Sequence, residues 1–66
     1  MLIKSKLTNE MYDDISSVKI PNNLQAYKYM INGLKPIDLI YTDRLVFVFN
    51  RTESKVFFDK WCNHLL

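Results

Sequence analysis

Residues 45–49, LVFVF, are apolar on both sides of an extended chain. Side chains of a strand alternate between faces, so Leu45, Phe47 and Phe49 point one way and Val46 and Val48 the other. Such a strand lies inside a sheet or beneath a second layer. In a chain of 66 residues that demand is severe, because a core of this size has only about 3–5 kcal/mol of margin before any staple is counted. The usual staples are missing. Cys62 is the only cysteine, so no disulfide closes within the chain, and Cys62 with His64 is too few ligands for a structural zinc. Four Phe, four Tyr and one Trp point to dense aromatic packing. The doubly apolar strand, in so short a chain, points to a partner subunit as its second cover.

The rest of the chain organises around that strand as one domain, residues 1–66, with no repeat or linker. LIKSKL (2–7) alternates weakly and predicts a short strand. Thr8 offers a helix N-cap, with Leu7 and Tyr12 placed as a hydrophobic staple. Met11, Ile15 and Val18 then predict a brief helix over roughly 9–17, which Pro21 forbids from running on. A second helix is signalled by Asn22 and Gln25 as a capping box. Leu24, Tyr27, Met30, Ile31 and Leu34 form its apolar side, and Gly33 followed by Pro36 its stop. IDLIYTDRLVFVFN predicts two strands, roughly 37–41 and 45–49, joined near Thr42-Asp43-Arg44. Asn50 and Glu53 cap a last helix, whose stripe of Phe57, Phe58, Trp61, Cys62 and Leu65 is about 140° wide. The expected fold class is α+β: a small single-layer antiparallel sheet of two to three strands packed by helices, in the order β-α-α-β-β-α.

Chemistry finds little purchase in this pattern. A single glycine excludes phosphate-cradling loops of the GxGxxG or GxxxxGK kind. His64, third from the last residue of the sequence and on a frayed last turn, lacks the rigid support that acid–base catalysis needs and reads as a surface or capping residue. Cys62 lies in the apolar stripe and reads as a small buried hydrophobe. Asp13 and Asp14 are adjacent, so on a helix they diverge by about 100° and read as a solvated acidic face rather than metal ligands. Trp61 and Phe58 read as core rather than as a ligand pocket. No catalytic residue, cofactor or metal is therefore expected.

RLVFVFNRTESKVFFDKW (44–61), a strand that turns into a closing helix, resembles the end of a KH domain, and the expected element order is that of the minimal eukaryotic type. The GxxG loop that holds the RNA backbone in that family is replaced here by Val18-Lys19-Ile20-Pro21-Asn22-Asn23, so no binding residue carries over. The formal net charge of +2 is too small to imply nucleic acid by itself. Lys4, Lys6, Lys19, Lys28 and Lys35 nevertheless define an alternative, a small RNA- or DNA-binding domain using a lysine-rich surface.

The leading expectation is a non-catalytic interaction protein, of the phage accessory-factor kind, that binds and modulates a host or viral protein. Phe, Tyr, Met, Ile, Asn and Lys make up 30 of the 66 residues, a skew typical of AT-rich genomes such as those of many phages. The expected contacts are Tyr29, off its helix's apolar stripe, and Ile37, Leu39, Tyr41 and Arg44 on the hairpin; homodimer formation would extend the core. MLIKSKLTNE has no signal-peptide pattern and no run approaches the ~20 apolar residues of a membrane span. A cytoplasmic protein is expected.

Overall fold

LVFVF is the spine of the molecule. The computed structural model describes residues 1–66. In chain order they form β1 (Leu2–Lys4), β2 (Met11–Asp13), a 3-10 turn (Asp14–Ser16), β3 (Ser17–Ile20), α1 (Asn23–Ile31), β4 (Asp38–Tyr41), β5 (Leu45–Asn50) and α2 (Arg51–Cys62). β5 is the central strand of an antiparallel sheet ordered β3-β5-β4, while β1 and β2 pair separately. The α+β class stands, with two small antiparallel sheets.

The register sorts the side chains of the larger sheet. Val18 lies opposite Phe49, and Ile20 and Leu39 flank Phe47 from either side. That face carries the core, where Ile20, Phe49 and Leu34 close around Ala26 and Tyr29 of α1, with Phe57 and Trp61 of α2 packed against them. Lys19 and Asp38 flank Val48 on the opposite face, where Val48 is fully buried. The second cover expected from a partner subunit is supplied at this point by the chain itself: the β1–β2 hairpin docks there through Asp38, which binds Lys6 and Tyr12.

The segment predicted as a first helix, 9–17, folds differently. Asp13 accepts from the Ile15 amide at 3.0 Å, and the Ser16 and Ser17 hydroxyls donate to the carbonyls of Asp13 and Asp14 at 3.0 and 2.9 Å. These local bonds compete with helical ones and hold the chain to a single 3-10 turn between two strands. Thr8 accepts from the Glu10 amide at 3.2 Å in a tight turn instead of capping a helix. With this helix replaced, the helix pair that carries the KH likeness is not formed.

The other ends follow the sequence closely. Asn22 and Asn50 cap α1 and α2, accepting from the Gln25 and Glu53 amides at 3.2 and 3.0 Å. After α1, Gly33 takes φ 105°, and the Gly33 and Leu34 amides return to the carbonyls of Met30 and Tyr29. This is the Schellman closure that glycine favours, and it drops Leu34 into the core. α2 closes in the same way, with the His64 and Leu65 amides on the carbonyls of Trp61 and Lys60. Here the left-handed position is held by His64, at φ 57°.

Candidate interaction surfaces

Helix α1 buries the side that the sequence does not advertise. At 100° per residue, Leu24, Tyr27 and Ile31 fall within about 60° of one another, and each is more than half exposed, at 56, 54 and 58%. The core takes the far side, Ala26 and Tyr29, together with Met30 and Leu34 from the flank of the predicted stripe. Tyr29, expected as a surface contact, is 0% exposed. Its ring meets Phe49 and Phe57 edge-on, at centroid distances of 5.4 and 5.9 Å, and its hydroxyl accepts from Gln25 Nε2 at 2.8 Å. The small side chain of Ala26, fully buried one turn earlier, permits the close approach this needs. An apolar stripe is thus left facing water.

Charge marks the same region. Residues 15–37 contain no Asp or Glu, but do contain Lys19, Lys28 and Lys35. Lys28 lies on α1 beside Leu24 and Ile31, its Nζ 3.4 Å from the Leu66 carbonyl oxygen. Four of the five candidate nucleic-acid lysines divide between the two sides of the larger sheet, and Lys35 lies in the loop between α1 and β4. Lys19 leaves β3 on the face opposite to that covered by α1, and Lys4 and Lys6 belong to the hairpin docked on that opposite face. Lys28 is on the helical side.

No family, curated protein or solved structure matches this chain. Its surfaces are therefore read from their own chemistry.

The largest concavity, about 460 Å³, lies between β3 and the start of α2. Val18, Ile20 and Tyr29 supply its apolar lining on one side, and Phe58 with Ser54 on the other, with Arg51 and Lys55 alongside. Arg51 is partly committed: its Nε donates to the Ile15 carbonyl at 3.0 Å and its Nη2 to that of Ser17 at 3.1 Å. The stripe predicted for α2 is split. Phe57 and Trp61 pack on the core, while Phe58, Cys62 and Leu65 are exposed. Cys62 is consequently not the buried hydrophobe expected, because α2 centres its inward side on Ser54, Phe57 and Trp61 and turns position 62 toward its flank.

A smaller hollow of about 310 Å³ is lined by Trp61, Cys62, His64 and Leu66. It places a thiol and an imidazole together, but no group of three or more His, Cys, Asp or Glu gathers anywhere in the molecule. No helix is long and apolar enough to cross a membrane. On the hairpin, Ile37 and Leu39 are half-buried and Tyr41 and Arg44 exposed, and β4 is an edge strand.

One polar cluster escaped the sequence reading. Asp38 is 3% exposed and accepts from the Tyr12 hydroxyl at 2.6 Å and from the Leu39 and Lys6 amides at 2.8 and 2.9 Å. Ser5, equally buried, donates to the Ile37 carbonyl and accepts from the amides of Leu7 and Thr8 at 3.0 Å. Burial pushes the Asp38 carboxyl up, but the Tyr12 hydroxyl and the Lys6 and Leu39 amides outweigh it, and the net direction is down. Burial, then the bond to Asp38, pushes Tyr12 up to about 12. The available signal was a lone carboxylate inside the apolar run IDLI.

Proposed function

We propose that this protein is a non-catalytic binding module whose α1 face, Leu24, Tyr27 and Ile31, docks on a partner protein. The partner surface it fits is apolar and ringed by carboxylates, matching a helix that carries lysine and no acid. Support comes from the outward apolar stripe. Contiguous exposed apolar surface on a small protein marks an interaction site when polar residues rim it, and Asn23, Lys28 and Asn32 stand around this one. A role as an accessory factor modulating a host or viral protein is consistent with the AT-rich composition. The lysine-rich alternative has less support, since its cations leave opposite sides of the sheet.

Parallel captures from native lysate, with wild type and with the triple variant Leu24→Gln, Tyr27→Gln, Ile31→Gln, test the reading. These positions are exposed, so the variant stays folded, with stability within about 0.5 kcal/mol of wild type. The expected result is a nuclease-resistant protein held by wild type and lost from the variant. Purified, it rebinds wild type at least about tenfold more tightly than the variant, a difference of about 1.4 kcal/mol. Equal recovery by both, or recovery that nuclease abolishes, would refute the proposal. Sedimentation at micromolar concentration covers the remaining occupant: a species heavier than the 7.9 kDa monomer that the variant dissolves would assign the face to a second copy.

A further inference from the structure

The groove between β3 and α2 is separate from the α1 stripe and has its own chemistry. Val18 and Ile20, alternate residues of β3, present their side chains to it, and Phe58 closes it from α2. Its volume, about 460 Å³, falls within the roughly 300–1,000 Å³ typical of binding clefts. Arg51 and Lys55 stand one helical turn apart along one side, and no carboxylate lines it. The only ion pairs in the molecule join the Met1 amine to Asp13 and Asp14, so Lys55 has no ionic partner. Arg51 uses Nε and Nη2 on the Ile15 and Ser17 carbonyls, leaving guanidinium N–H groups for a further acceptor. β3 is also an edge strand of its sheet, and an edge strand presents backbone N–H and C=O groups to whatever extended chain lies beside it.

We infer that this groove takes an extended acidic–apolar segment of a partner protein, laid along β3, with an apolar side chain against Val18, Ile20 and Phe58 and a carboxylate on Lys55 and Arg51. The inference rests on the reading of the protein as a binding module, but uses a different surface. Edge, apolar floor and cationic rim together favour a peptide: the edge recognises main chain, the floor an apolar side chain, and the rim an acid. Alternation along a strand turns every second side chain of such a segment toward the floor.

The test titrates a synthetic nonapeptide, glutamate alternating with leucine and phenylalanine, into isotope-labelled protein and follows backbone amide shifts. Saturable shifts are expected at residues 17–20 and 51–58. Lys55→Glu weakens binding at least about tenfold, and Phe58→Ser several-fold. Arg44→Glu, a cation on the remote hairpin loop, changes it less than about twofold. Both Lys55 and Phe58 are exposed, and unchanged far-ultraviolet circular dichroism confirms that their variants fold. Equal loss with Arg44→Glu, or equal binding of the peptide with lysine in place of glutamate, would overturn the inference as unspecific attraction. Hexanoate alone giving the same shifts with the same affinity would overturn it in favour of a small carboxylate, and absence of saturation would overturn it outright. The α1 triple variant is expected to bind the peptide unchanged; loss there would move the site to α1. Should the peptide fail while capture through α1 succeeds, only the groove assignment falls, and the converse result removes only the α1 assignment.

Discussion

Asp38 joins the two sheets at a single side chain. Its neighbours in sequence, Ile37 and Leu39, belong to the larger sheet, while Lys6 and Tyr12 bring the hairpin to its carboxylate. A buried carboxylate so satisfied stabilises the arrangement because losing one donor leaves the charge short of a partner. Tyr12→Phe should therefore lower stability at neutral pH by about 2 kcal/mol, the range for a hydrogen bond to a charged group. The pH dependence has a definite sign. With its value raised from 10.0 to about 12, Tyr12 contributes stability that is present below pH 10 and lost as pH climbs toward 12. The gap between wild type and Tyr12→Phe in urea melts should shrink over that window. Asp38, held below its ordinary 3.8, contributes stability present above that value and lost as pH falls through the lower folded one. A gap independent of pH from 9 to 12 would show that the Tyr12 proton is not shared with the knot.

At the scale of elements, the legible parts of the fold were those specified by local chemistry. Asn22, Gly33 and Asn50 announce helix ends in the sequence, and each does so in the structure. Two features were not legible. Residues 9–17 have helical spacing at Met11, Ile15 and Val18, but the spacing is coincidental: Met11 and Ile15 are exposed, and Asp13, Ser16 and Ser17 redirect the backbone. The spacing predicts α1 itself but only part of its inward side: Met30 and Leu34 reach the core while Leu24, Tyr27 and Ile31 do not, because a pattern of apolar residues cannot report which stripe meets the sheet when Ala26 and Tyr29 offer a second one. The same gap hid the groove, whose two walls, β3 and the start of α2, are far apart in sequence. Helix ends also carry a quantitative prediction. His64 takes a left-handed conformation that disfavours a side chain by about 1–2 kcal/mol. His64→Gly should raise stability by about 0.5–1 kcal/mol, net of the chain entropy glycine adds. Gly33→Ala should lower it by about 1 kcal/mol through backbone strain alone, since no atom lies within 4 Å of a Cβ placed there. Thermal melts of the two variants moving the same way would contradict this account.

For the whole molecule, surface outweighs interior. Ten of 66 residues are buried and the accessible area is 4834 Å², against roughly 4,400 Å² expected for a folded chain of this mass. So little interior leaves no room for independent subunits, despite two sheets, because the knot at Asp38 fastens the hairpin to the strand that carries the core. Unfolding followed by Trp61 fluorescence and by an NMR signal of Tyr12 should give coincident urea curves. The slope should be near the low end of the small-protein range, about 1 kcal/mol per molar. An earlier transition at Tyr12 would mean that the hairpin detaches first.

Asn50 is both the last rung of β5, opposite Ser17, and the cap of α2. No connecting loop separates sheet from helix there, so the cleft wall formed by Arg51, Ser54 and Phe58 is welded to the wall formed by β3. An occupant of the proposed cleft would meet two walls whose backbones already hold a set spacing.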